Sequence, residues 1–269
     1  MTSAVKLASY VLQADTPVAK VRAAESLSEA WANGIEIGEL SAPPDYPARP
    51  ARPVCVPQSE LPRRRLGSEP GRAALLHAVA HIELNAIDLA ADMLARFIHN
   101  PLLPLAARNE FAADWISVCA DEARHFGLIT DRLSDMGVQY GDLPAHNGLW
   151  DAALATKDNF AARLAIAPLV LEARGLDVTP AMIEKLTSAG DSKSAAILNI
   201  IYTDEVGHVA IGRRWFTIAC RHSSQKEALH FQSLVKKYFK GPLKPPFNVV
   251  ARDKALLPRE FYMPLAINT

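Results

Sequence analysis

One five-residue pattern occurs twice, and it constrains this chain more than any other feature. Asp121-Glu122-Ala123-Arg124-His125 and Asp204-Glu205-Val206-Gly207-His208 both read D-E-x-x-H, with their glutamates 83 residues apart. On an α-helix, positions i and i+3 share a face, so each Glu and His can reach one point in space. A carboxylate beside an imidazole is half of a first-row transition-metal site. One such string arises by chance in roughly a few per cent of chains this long. Two, each in the middle of a long helical run, fit chance poorly. The plain alternative is an exposed helix face that meets water, and the residues at helical spacing test it. Around Glu122 they are Trp115, Val118, Cys119, Phe126, Ile129 and Leu133; around Glu205 they are Leu198, Ile201, Tyr202, Val209 and Gly212. Both faces are apolar, so both glutamates are expected to point into the core. An unpaired carboxylate is very costly there and must be neutralised, paired or bound to metal.

The rest of the chain reads as helix punctuated by proline. Seven prolines fall between Pro43 and Pro62; each fixes φ and removes a backbone donor, which excludes a helix or central strand. This stretch is either a disordered linker or an arm lying on the surface through Tyr46, Val54, Val56 and Leu61. Before it, VAKVRAAESLSEAWANG has helical spacing and stops at Asn33-Gly34. After it, Ser68 with Glu69 and Pro70 starts a helix running to about Phe97. Further helices are predicted from about Leu105 to Met136, from Ala153 to Arg174 with a stop at Gly175, and from Ser192 to Arg221. A shorter one starts after Thr179-Pro180 and ends near Gly190, and a last one spans Gln225 to Phe239. Residues 1–40 are thus an N-terminal helical segment and 41–67 a proline-rich extended arm. Residues 68–240 form an all-α four-helix bundle, and 241–269 an extended tail packed on it.

Two of the long helices lack an ExxH string but carry a lone acid among aliphatics. Glu83 shares its face with Leu76, Val79, Ala80, Ala86, Ile87 and Ala90, and Glu172 lies near Ala165, Leu169 and Leu176. His77, His81 and Asp88 lie off the Glu83 stripe, which makes the two histidines rim or second-shell groups rather than ligands. Pro168, one turn before Glu172, is expected to kink its helix. The candidate metal ligands are therefore Glu83, Glu122, His125, Glu172, Glu205 and His208. Four carboxylates at one dry point call for two divalent cations. Asp121 and Asp204 either orient the histidines, each from the opposite ExxH helix, or sit solvated on a helix face. Trp115, Trp215 and Tyr202 near the metal layer read as core packing before a redox relay. Arg63, Arg64 and Arg65, like Lys236 and Lys237, read as solvated charge before an anion site.

The segments RRRLGSEPGRAALLHAVAHIELNAIDLAADMLARF, ADEARHFGLI, LVLEARGLDVTP, YTDEVGHVAIGRRWF and PPFNVVAR resemble the ferritin-like superfamily, and specifically the bacterial domain-of-unknown-function family 455. The resemblance covers nearly the whole chain. It implies a ferritin-like bundle with metal positions at the six residues above. By analogy with related di-iron proteins, Glu122 and Glu205 bridge two ions while Glu83 and Glu172 cap the ends. The implied cofactor is a pair of iron ions, with Mn/Fe or Mn/Mn as alternatives. Glu122 and Glu205 are the catalytic candidates of an oxidoreductase, a hydroxylase or oxidase activating O2 or peroxide. The alternative is a metal-handling protein, a ferroxidase or peroxide scavenger without an organic substrate. The implied partners are an electron donor, a small-molecule or modified-RNA substrate, and a second copy of the chain. Lys+Arg and Asp+Glu both number 29, which argues against a broad electrostatic grip on nucleic acid. Three scattered cysteines form neither a zinc pattern nor a disulfide framework, so a reducing cytoplasm is the expected compartment. No signal peptide and no uncharged apolar run long enough to span a membrane is read in the sequence.

Overall fold

A computed structural model describes residues 2–267 apart from 41, 62–64 and 222; Arg63 and Arg64 lie outside the described residues. Eleven α-helices account for most of these residues: α1 (Ala4–Gln13), α2 (Pro17–Ala32), α3 (Glu69–Phe97), α4 (Arg108–Asp135), α5 (Gly148–Ala155), α6 (Phe160–Ile166), α7 (Ala173–Ser188), α8 (Ser192–Ala219), α9 (Glu227–Tyr238), α10 (Val249–Lys254) and α11 (Arg259–Tyr262). A π-helical segment, Ala167–Glu172, joins α6 to α7. Among the described residues no strand forms; only the isolated bridges Cys55–Ala145 and Leu243–Ala266 occur.

Local chemistry sets the helix starts. The hydroxyls of Ser68 and Thr16 and the carboxylate of Asp191 accept backbone N–H groups of the first turns of α3, α2 and α8, and proline occupies the first turn of α2 and α3. These side chains replace bonds that a helix start cannot make internally. Helix α3 packs along α4, α7 packs along α8, and α4 meets α8 across the centre, while α1 and α2 cover α3 and α4. The short links between partners make each pair antiparallel. Helix α3 is long and apolar enough to cross a membrane by composition, yet 78% of that window is buried inside the fold.

Three sequence-based boundaries need correction. Helix was expected to stop at Gly175 and restart after Pro180, but α7 runs through both. Pro180 has no N–H to give the carbonyl of Leu176 four residues back. Asn248 of the tail supplies the missing donor, its Nδ2 lying 3.1 Å from Leu176 O. The tail is not extended throughout: it folds into α10 and α11. The helix expected to run unbroken from Ala153 is interrupted: α5 ends at Ala155 and α6 begins at Phe160.

The proline-rich stretch lies on the surface of the fold, held by polar contacts. Arg96 donates to Pro44 O, Trp150 Nε1 to Asp45 O, and Arg49 to Asn85 Oδ1. Behind these contacts, Lys20, Asp88, Asp92 and Arg163 are all fully or nearly fully buried. Lys20 pairs with Asp88 at 2.5 Å, and Arg163 pairs with Asp92.

Candidate metal centre

Helix α3 brings Glu83 into the core, α4 brings Glu122 and His125, and α8 brings Glu205 and His208. One ligand atom from each of Glu83, Glu122, His125 and Glu205 fits within a 4.8 Å group. Donors about 2.1 Å from a cation lie at most about 4.2 Å apart across it, so this spacing is close to a coordination shell. Glu122 stands between the two histidines. His208 Nδ1 lies 3.1 Å from Glu122 Oε1 and 3.7 Å from Glu205 Oε1. His125 Nδ1 lies 3.3 Å from Glu83 Oε2 and 3.6 Å from Glu122 Oε2. Glu172, the last residue of the π segment, stands beside this group rather than in it. Glu83, Glu122, His125 and His208 are buried, whereas the Glu205 side chain keeps 13% of its surface exposed and Glu172 is partly buried.

The two aspartates cross over. His125 Nε2 on α4 meets Asp204 Oδ2 on α8 at 3.0 Å, and His208 Nε2 on α8 meets Asp121 Oδ2 on α4 at 3.3 Å. Arg124 Nη2 donates to both carboxylates, at 2.9 Å to Asp121 and 2.8 Å to Asp204. Each aspartate therefore fixes the outer nitrogen of a histidine and turns Nδ1 inward toward the glutamates. Such outer-shell carboxylates typically carry 10–100-fold in metal affinity. Asp121→Ala or Asp204→Ala is expected to weaken Mn(II) binding by roughly that factor while helix content by circular dichroism is unchanged. Unaltered affinity in both variants would refute the orienting role.

Burial and the mutual repulsion of neighbouring carboxylates govern the electrostatics of the group. Burial, followed by the Glu122 carboxylate, pushes the proton affinity of Glu83 up against the bond from His125. Burial also raises Glu172 and Glu205, aided by each one's neighbouring carboxylates. Burial works in the same direction on Glu122, but the close imidazoles of His125 and His208 outweigh it and hold this carboxyl below the usual range. The histidines respond in kind. Burial disfavours their charge, yet Glu122 and Glu83 push His125 up to about 10, and Asp121, Glu122 and Glu205 raise His208.

The family model described as "Protein of unknown function (DUF455)" matches residues 13–263. The chain belongs to this family. One relative is an uncharacterized protein of Haemophilus influenzae, 41% identical over 208 residues, which are 77% of this chain and 72% of the relative. No solved structure matches the chain.

The donor set of this DUF455 chain fits a metal ion on a direct observation. Both oxygens of Glu122, Oε2 of Glu172, Oε2 of Glu205 and Nδ1 of His208 are buried without a hydrogen-bond partner. His208 Nδ1 and Glu122 Oε1 are near neighbours, yet they do not line up as donor and acceptor. Buried polar atoms are otherwise almost always satisfied. Those of Glu122, Glu205 and His208 lie against one another, with Glu172 beside them, and carboxylate oxygens with an imidazole nitrogen are what a cation would satisfy.

Other singled-out residues do different work. His77 and His81 hold the loop after α4, His81 Nδ1 meeting Tyr140 OH at 2.8 Å and His77 Nε2 accepting from Gly141 N at 2.9 Å. Trp115 and Trp215 are buried and join through Phe111. Trp215 Nε1 donates to Asp114 Oδ2, and Tyr202 OH accepts from Asn248. Arg65, Lys236 and Lys237 are exposed. Arg124, which ties the two aspartates together, was missed; its place between His125 and Asp121 inside the repeated string was the available signal.

Proposed function

We propose that this protein is a ferritin-like four-helix bundle, built from α3, α4, α6–α7 and α8, that holds a dinuclear metal centre. We read it as an oxidoreductase that uses O2 or peroxide. The observation that carries the reading is the convergence of orphaned carboxylate and imidazole atoms from separate helices, with both histidines oriented by crossed aspartates. Glu83, Glu122, His125, Glu172, Glu205 and His208 would hold the ions. Two iron ions bound there would supply electrons for reducing O2 or peroxide, and manganese is compatible with the same donors.

The chain's own contribution is positional. Asp204 Oδ2 and Asp121 Oδ2 keep a proton on the outer nitrogen of each histidine, which leaves Nδ1 free to bind. Leu84, Ile87, Val118, Cys119, Ile129 and Val209, all buried around the site, exclude water from the inner carboxylates. The test is anaerobic Fe(II) titration of protein purified without added metal, followed by O2 and by peroxide. The expected result is uptake of about two ions per chain and an optical change on adding oxidant. Protein that takes up no transition metal overturns the reading. Peroxide turnover without any organic substrate would shift it to metal handling, and a cage-sized assembly would shift it to storage.

A further inference from the structure

Helix α8 carries a buried glycine, Gly212, one turn beyond His208. A Cβ placed on Gly212 would stand 2.3 Å from Pro168 Cβ and 2.5 Å from its Cγ. These distances lie far inside atomic contact, so the Pro168 ring occupies the space where a side chain of α8 would be. Pro168 is also the second residue of the π segment, at whose end the Ala173 N–H reaches Pro168 O five residues back. Such a turn holds one more residue than an α turn, which rotates every following side chain by about 100°. Leu164 and Ala165 before it, and Ala173 and Leu176 after it, are all fully buried. The extra residue is therefore absorbed between two anchored stretches of helix. Glu172 is the residue on which it ends, and Glu172 Oε2 is one of the buried oxygens without a partner.

We infer that Gly212 is a positioning residue for Glu172: its bare backbone seats Pro168 against the α8 ligand helix, and the seated π turn aims Glu172 at the Glu205 side of the centre. The inference rests on the dinuclear reading and deepens it. One helix turn of α8 supplies His208, and the next supplies the seat that brings in the ligand from the neighbouring helix. Any side chain at 212 pushes the turn outward and takes Glu172 with it, while Glu83, Glu122 and His125, held by α3 and α4, stay in place.

Mn(II) binding to the full chain tests this, read as metal content and as the electron paramagnetic resonance signal that separates a coupled pair from an isolated ion. Gly212→Ala is expected to behave like Glu172→Gln. Each loses the coupled-pair signal, binds about one ion instead of about two, and shows a roughly tenfold or greater loss of affinity at the second site. Pro168→Ala removes the ring and restores a backbone donor without adding bulk, and it should give the same loss. It decides the matter if Gly212→Ala does not fold. Retention of the full pair with parental affinity in Gly212→Ala or Pro168→Ala overturns the inference. So does loss of both ions together in Gly212→Ala, which would mean general damage to the site. If Glu172→Gln keeps the pair, Glu172 is not a ligand and the inference fails while the dinuclear reading stands; if the parent protein takes up no Mn(II), the dinuclear reading itself fails.

Discussion

Protein stripped of metal by a chelator is expected to melt at lower temperature as the pH rises from about 5 to about 9, whereas protein saturated with Mn(II) is expected to gain stability over the same range. The sign follows from the directions of the shifts. Glu83, Glu172 and Glu205 bind protons more tightly folded than unfolded. Each therefore contributes stability that is complete below its unfolded value near 4.3 and is lost as pH climbs through the folded value. His125, pushed up to about 10, and His208 act in the same direction, with stability complete below about 6.5 and lost above it. Glu122 has the opposite sign, but its contribution is lost only in acid, below the window. Metal reverses the slope because the ions take the place of these protons, so uptake strengthens as protons become scarce. At a hundredfold excess over its dissociation constant each ion adds about 2.7 kcal/mol. Two ions add about 5 kcal/mol, or roughly 10–20 °C in melting temperature for a chain of this size. Calorimetric scans at three pH values with EDTA and with Mn(II) check this. Parallel curves would show that the buried carboxylates are balanced without metal.

The candidate residues of the buried Glu/His group were legible because the information is local. ExxH places two donors on one helix face by geometry alone, and the apolar residues three and four positions away say which face is inward. The lone acids Glu83 and Glu172 stood out by the same contrast. What could not be read depends on partners distant in the chain. Pro180 looked like a helix start because the donor that lets the helix continue, Asn248, lies in the tail. Pro168 announced a distortion, but its form, a π turn seated on Gly212, is set by α8. Asp88 was placed off the Glu83 stripe, and neither its burial nor its pairing with Lys20 follows from helical spacing, since that pair joins residues 68 positions apart. His77 and His81 suggested chemistry by residue type and proved to be loop anchors, because the loop they hold has no periodicity to reveal it.

Asp88→Ala is expected to cost about 3–5 kcal/mol, among the largest losses any single substitution should cause here. Asp88 and Lys20 are both wholly inaccessible; Lys20 Nζ lies 2.5 Å from Asp88 Oδ1 and 2.9 Å from Val11 O, and Arg49 Nη1 lies 3.2 Å from Asp88 Oδ2. Burial raises the proton affinity of Asp88, and Lys20 and Arg49 pull it back. Removing the carboxylate leaves the Lys20 ammonium in the core with one carbonyl for company, an uncompensated buried charge. Arg49 suffers less, since 27% of its side chain is exposed and it can turn to water. Against a total stability of about 5–15 kcal/mol, the loss is about a fifth or more and lowers the melting temperature by roughly 6–20 °C. The control is the double substitution Lys20→Met with Asp88→Leu, which removes both charges and keeps the volume. Replacing a buried pair by apolar side chains is often neutral, so the double variant should recover to within about 1 kcal/mol of the parent. Equal damage in the single and double variants would place the loss in packing between α2 and α3 instead of in the stranded charge.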